Sequence, residues 1–122
     1  MSGGETPGYE PVLASHELES GKARACTVRG WPVLLARTAS GLHAILDRCS
    51  HAGSPLAHGR IRGDTIICPL HGARFDLRDG ACLSAEPYAG IRTFPVRERA
   101  GRIALQVPGR PPAEDELPIA AA

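Results

Sequence analysis

Two short pairs of side chains able to ligate metal stand out: Cys49-Ser50-His51 and Cys68-Pro69-Leu70-His71, with sixteen residues, Ala52 to Ile67, between them. Each pair offers one thiolate and one imidazole. A structural zinc site normally carries Cys-x2-4-Cys and His-x3-5-His pairs, each chelating the same ion from one turn, and Cys-x-His fits that pattern poorly. One intervening residue in an extended loop sends the two side chains different ways unless the loop bends, which suits two neighbouring metals better than one. In a two-iron, two-sulfide cluster each loop would give one ligand to each iron, so that Cys49 and Cys68 would hold one iron and His51 and His71 the other. Two ferric ions, two sulfides and two thiolates cancel in charge, whereas four thiolates would leave the oxidised core negative. Adding an electron to a neutral core is easier, which places such clusters at about −150 to +300 mV against about −400 mV for plant-type ferredoxins. The iron facing neutral imidazoles is expected to take the electron.

The elements that must position these loops read as strands. Short apolar runs recur at Pro11 to Ala14, Ala23 to Val28, Trp31 to Ala36, Leu42 to Leu46, Thr65 to Cys68, Arg74 to Leu77, Thr93 to Arg97 and Ile103 to Val107. Arg29-Gly30, Ser40-Gly41, Asp79-Gly80 and Ala100-Gly101 each supply a glycine where φ can be positive, so successive strands are expected to join as antiparallel hairpins. No window of eleven residues keeps a helical apolar period free of Gly and Pro, and the best helical candidate, Ser15 to Ser20, is about one turn behind a Ser15 N-cap. Asp47 to Gly72 breaks the strand rhythm and holds both Cys/His pairs.

The whole chain is 122 residues, which is one domain, with 14 Gly and 11 Pro favouring a loop-rich β structure over a bundle. Residues 1–9 read as an N-terminal tail, 10–107 as the domain with a cluster-binding subdomain about 47–77, and 108–122 as a Pro-rich acidic tail, Glu114 to Glu116 being solvated. A formal net charge of +1, with the arginines spread thinly, argues against a nucleic-acid partner. No stretch approaches the roughly 20 apolar residues that span a bilayer, and Met1 to Glu10 has no leader pattern, so a cytoplasmic protein is expected. A Cys49–Cys68 disulfide would need export, which nothing at the N-terminus supports. Cys26 and Cys82 lack a neighbouring ligand and read as small buried hydrophobes. His16, His43 and His58 read as solvated surface, and Trp31 as a partial core residue. Arg48, Arg60, Arg62, Arg74 and Arg78 stand against Asp47, Asp64, Asp76 and Asp79, a nearly balanced neighbourhood.

Cys-x-His, sixteen residues, then Cys-Pro-x-His-Gly resembles the Rieske iron-sulfur proteins, specifically the small soluble Rieske-type ferredoxins of ring-hydroxylating dioxygenase systems. The likeness extends to Ser54-Pro55-Leu56, Gly59-Arg60-Ile61, Gly63-Asp64, Ala73-Arg74-Phe75-Asp76, Gly80 and Thr93-Phe94-Pro95-Val96, covering about Pro11 to Val107. It implies an all-β fold of stacked antiparallel sheets with a two-loop cluster-binding subdomain, a [2Fe-2S] cofactor on Cys49, His51, Cys68 and His71, and electron transfer without catalysis. It also implies transient partners: an NAD(P)H-dependent flavin reductase as donor and a terminal oxygenase as acceptor. The respiratory and photosynthetic branch carries an extra cysteine in each loop, joined as a bracing disulfide, where this chain has Ser54 and Leu70. That branch also places Ser and Tyr hydroxyls near the cluster where Ala73 and Phe75 stand here, so a potential near the bottom of the Rieske range is expected. Pro69 is expected to stiffen the second loop. Gly53 and Gly72 are expected where a Cβ would crowd the cluster or where N–H groups turn toward the sulfides. A nitrite reductase small subunit or a free-standing relative of an oxygenase's Rieske domain fits the same residues, although the chain has no room for the second, mononuclear iron site of an oxygenase. From another class, the rival is an interaction module held by structural zinc.

Overall fold

The computed structural model describes residues 8–50, 53–70, 72–84 and 89–117. Among the described residues, nine strands make three antiparallel sheets of three: β1 (Glu10–Ala14), β9 (Arg102–Leu105) and β8 (Val96–Arg99); β2 (Lys22–Val28), β3 (Trp31–Thr38) and β4 (Gly41–Leu46); β5 (Arg60–Arg62), β6 (Thr65–Ile67) and β7 (Arg74–Asp76). The expected all-β class and antiparallel pairing are what the chain adopts. Two hairpins turn on residue pairs with both φ positive, Arg29-Gly30 (51° and 84°) and Ala100-Gly101 (52° and 77°), which matches the twist of the flanking strands. The third turn is Ala39-Ser40 rather than Ser40-Gly41, because Gly41 already pairs with Thr38 as the first residue of β4.

Three local expectations are corrected. β5 has one apolar residue, Ile61, between two arginines, and so carries no strand signal in its composition. Thr93 makes only an isolated bridge to Ile45, and β8 begins at Val96, after Pro95, which has no N–H to give a ladder. Ser15 is not an N-cap: the helical stretch is a single 3-10 turn, Ser15–Glu17, and Glu17 Oε1 accepts from the Ala14 N–H at 2.8 Å.

The core lies where the first two sheets meet the inner face of the third. β3 is buried along nearly its whole length, with Trp31, Val33, Leu34, Leu35 and Ala36 fully enclosed, as befits a central strand covered on both faces. In the third sheet Ile66 and Phe75 point inward, fully buried, while Arg60, Arg62 and Arg74 point out. That sheet is an excursion from β4. The chain leaves at Leu46 and returns at Arg92, and the Leu46 N–H donates to the Arg92 carbonyl at 2.8 Å, so the two ends of the excursion are pinned together.

The segment after Val107 is not the solvated tail its composition suggests. Trp31 is fully buried, and its indole N–H needs an acceptor; the Arg110 carbonyl supplies one at 2.8 Å. Arg110 and Arg92 both reach Glu116, at 2.6 and 3.3 Å, and Arg92 lies 4.7 Å over the Trp31 ring. Glu114 and Asp115 are exposed, whereas Glu116 is half-buried and held down to about 2 by Arg110 first and the Ala113 N–H second. Residues 1–7 and 118–122 lie outside the described residues.

Arg37 joins the layers, since its guanidinium grips Glu98 of β8 through two hydrogen bonds at 3.2 and 2.8 Å and also reaches the Leu18 carbonyl at 2.7 Å. Glu98 is accordingly pulled to about 2, chiefly by Arg37. A depressed carboxylate stabilises the fold above its unfolded value and stops doing so as the pH falls through its folded value. Acid denaturation followed by circular dichroism is therefore expected to show a shallower loss of stability between 4.5 and about 2 in Arg37→Gln than in the parent.

Candidate metal centre

Cys49 follows β4 and Cys68 follows β6, and both are buried, at 0% and 1% exposure. The two loops they begin are built alike. In the first, the Gly53 N–H donates to the Cys49 carbonyl at 2.6 Å and the Cys49 N–H to the Ser54 carbonyl at 2.8 Å. In the second, the Gly72 N–H donates to the Cys68 carbonyl at 3.1 Å and the Cys68 N–H to the Ala73 carbonyl at 2.8 Å. Each is a closed turn with a cysteine at its first position and a left-handed glycine at its fifth (φ 70° and 73°). A side chain at Gly72 would meet no other described residue within 4 Å, so its backbone conformation, rather than close packing against protein, calls for glycine there. The expectation that these glycine N–H groups turn toward sulfides is corrected, because they close the loops instead. His51 and His71 fall outside the described residues; in the sequence each lies between the cysteine and the glycine of its loop.

Ser54 joins the two loops. Its carbonyl accepts from Cys49 N–H, and its hydroxyl lies 3.5 Å from the Cys68 sulfur. The structure thus brings both cysteines to one site through a residue that touches each. None of the four cysteines is in a disulfide. Two buried thiols on paired turns that close through their own backbone bonds fit a cluster that needs two thiolates from two loops. Cys26, half-buried in β2, has its thiol pushed up to about 11, first by burial and then by the Asp47 charge, so it stays protonated at neutral pH. Cys82 is half-buried and bridges Phe75.

Asp47 is the positioning residue that sequence reasoning missed. It is 4% exposed, and its Oδ1 accepts from the Leu56 and Ala57 N–H groups at 2.7 and 2.8 Å, spanning the whole first loop. Its own N–H donates to the Pro32 carbonyl at 2.9 Å, fixing the loop base to β3. Burial raises its pKa, with the two backbone donors opposing. Nothing in its sequence context separates it from a surface aspartate. Gly59 sits beside the second loop for a packing reason, since a Cβ there would lie 2.1 Å from the Ile67 carbonyl oxygen.

The β5–β6–β7 sheet is tied to the body at its other end. Asp64, in the β5–β6 turn, accepts from the hydroxyls of Thr38 and Ser40, and Arg78 grips Asp76 at 2.9 Å. His43 belongs to this group and is not solvated surface: its Nε2 lies 3.0 Å from Thr38 Oγ1 and 2.9 Å from Ser40 Oγ. His16 and His58 are exposed as expected. Among the described residues no helix is long and apolar enough to cross a membrane.

The family model of the Rieske [2Fe-2S] domain matches residues 8–95. The chain belongs to the Rieske [2Fe-2S] domain family. A Rieske-type [2Fe-2S] cluster is therefore its cofactor. The ferredoxin component of the naphthalene 1,2-dioxygenase system of Pseudomonas aeruginosa is 30% identical over 96 residues, 79% of this chain and 92% of that protein. A chain in the complex of reduced oxygenase and oxidized ferredoxin of carbazole 1,9a-dioxygenase superposes with a TM-score of 0.71 at 28% identity, over 78% of this chain and 98% of that one. The 4beta-methylsterol monooxygenase of Methylococcus capsulatus is 37% identical over 105 residues, but the match spans 75% of this chain and only 28% of that enzyme. The Rieske fold thus occurs both as a nearly whole small ferredoxin and as one part of a larger oxygenase.

Proposed function

We propose that this Rieske protein is a one-electron carrier that receives electrons from an NAD(P)H-dependent flavin reductase and delivers them to a terminal oxygenase, with Cys49 and Cys68 on one iron and His51 and His71 on the other. The carrying observation is the pair of matching closed turns that present two buried cysteines to one site. The match over nearly the full length of a dioxygenase ferredoxin supports the carrier reading over that of an oxygenase fragment. The carrier turns over no substrate of its own and works in the cytoplasm. When bound, the cluster supplies a reversible one-electron couple. The chain's part is to hold the two loops at fixed spacing, exclude water from the sulfur side and set the potential. Pro69 and Leu70, at the tip of the second loop, are exposed, Leu70 at 61%, and offer an apolar contact to whatever docks there.

The deciding experiment is metal and sulfide analysis together with an EPR spectrum of the dithionite-reduced protein. Equal iron and acid-labile sulfide with a rhombic signal of low average g are expected. Stoichiometric zinc in a colourless protein would instead establish the interaction module and end the carrier reading.

Ser54 refines the expected potential. The hydroxyls missing at Ala73 and Phe75 are matched in part by Ser54, whose hydroxyl must be the donor once Cys68 is a thiolate. A donor to sulfur favours the more negative, reduced state. Ser54→Ala is expected to lower the potential and Ser54→Thr to retain it. The shift is several-fold in the ratio of reduced to oxidised protein at a fixed voltage, tenfold being about 59 mV for one electron. A visible redox titration of the three proteins reads it.

A further inference from the structure

In the sequence the arginines and aspartates around the loops nearly cancel, but the fold separates most of them, Asp79 staying exposed in the turn after β7. Asp47 is buried in the first loop, Asp64 is engaged by Thr38 and Ser40, and Asp76 is clasped by Arg78. Arg60, Arg62 and Arg74 form no ion pair with any described residue. Strand pairing then gathers them. Arg60 pairs with Ile67 and Ile67 with Arg74, so the three lie in one row across β5, β6 and β7, on the outward face opposite Ile66 and Phe75. This row is the one next to Cys68, and Arg62 lies two residues further along β5. Two strand spacings set the backbones of Arg60 and Arg74 about 10 Å apart. A recess of about 360 Å³ opens beside the row, walled by His58, Arg60, Ile67, Cys68 and Pro69.

We propose that the outer face of the β5–β6–β7 sheet is a docking surface for the acidic face of a redox partner protein, with Arg60 and Arg74 each taking a carboxylate. The inference rests on the electron-carrier reading and specifies the partner's chemistry. Guanidinium forks bind carboxylates in pairs of parallel hydrogen bonds, which fixes orientation as well as attraction. A cationic face on a chain of net charge near zero steers an acidic partner toward the cysteine-bearing edge rather than binding anions at random. The exposed Pro69 and Leu70 supply the apolar contact beside it.

The test is the rate at which dithionite-reduced protein passes one electron from its cluster to a ferric haem protein, which becomes ferrous, followed by stopped flow. An acidic and a basic haem protein serve as acceptors, with ferricyanide as a small-anion control. With the acidic acceptor the second-order rate constant is expected to fall as salt is raised and to drop at least about fivefold at low salt in Arg60→Gln/Arg74→Gln. Arg99→Gln, which removes a charge from the β8–β9 hairpin, is expected to leave it within about twofold. The reduction potential and circular dichroism of the double variant are read alongside, to show that cluster and fold are intact. Equal losses in both variants, no loss in either, or a variant effect confined to ferricyanide would overturn the docking surface. Absence of any reducible chromophore in the parent protein would instead sink the carrier reading itself.

Discussion

A Cys68→Ala variant is expected to purify colourless, with iron and acid-labile sulfide both lost, while Cys26→Ala keeps the colour of the parent. The contrast follows from where each thiol sits. Cys68 opens the second closed turn, is buried, and lies against Ser54 of the first turn. Removing its sulfur takes away one of the two thiolates that a mixed-ligand cluster requires, and no other cysteine stands ready to replace it. Cys26 is in the middle of β2, with a thiol pushed up to about 11, which opposes the thiolate form that iron needs. Cys82 is bridged to Phe75 on the β7 side. The polypeptide of Cys68→Ala is nonetheless expected to keep its strands, because the second turn closes through Cys68 backbone groups, which alanine also has. Far-ultraviolet circular dichroism like that of the parent, alongside absent visible absorption, is the expected pair of readings. The loss of colour is expected to come with a lower melting temperature, since metal bound only by the folded state adds to its stability. Retained iron and sulfide in Cys68→Ala would remove that residue from the ligand set.

Much of the fold can be read from local chemistry, and the reasons differ from element to element. The Arg29-Gly30 and Ala100-Gly101 turns are visible because a two-residue hairpin asks for positive φ and few residues grant it. The strands around them are visible as short apolar runs. β5 is invisible because its residues Arg60 and Arg62 are held in place by pairing with β6, which no local preference encodes. The docking of Arg110 and Glu116 is invisible for a related reason: the Trp31 indole and the Arg110 carbonyl are 79 residues apart in the chain. At the site, Cys49 and Cys68 stand out by type and spacing, and the structure adds that each opens a closed turn with a left-handed glycine at its fifth position. The roles of Ser54 and Asp47 escape the sequence reading because their side chains act on groups 9 to 14 positions away in the chain. Charge balance in the sequence also misleads, since it counts Asp47 and Asp76 as free partners for arginines when one is buried and the other taken.

Asp47→Ala is expected to be strongly destabilising for a change at a charged residue. One oxygen of Asp47 satisfies two backbone donors, Leu56 and Ala57, and the Leu56 side chain is fully buried in the hydrophobic core. Alanine leaves those N–H groups without that acceptor in a place water reaches poorly. An unsatisfied buried donor costs about 1–3 kcal/mol, so the buried Leu56 N–H puts the loss in that range, with the half-buried Ala57 N–H adding a smaller part. The fault lies at the base of the first cluster loop, and cluster retention is therefore expected to suffer along with stability. Asp47→Asn separates the two contributions. Its amide oxygen can accept from the same two N–H groups, so most of the stability is expected to return, and it no longer carries the charge that burial opposes. Chemical denaturation of parent, alanine and asparagine proteins, read by circular dichroism, measures the first effect; the rate at which a chelator bleaches the visible absorption measures the second. The expected order in both is parent and asparagine together, with alanine well below. An alanine variant as stable and as slow to bleach as the parent would show that the Leu56 and Ala57 amides find other acceptors, and would leave Asp47 without a positioning role.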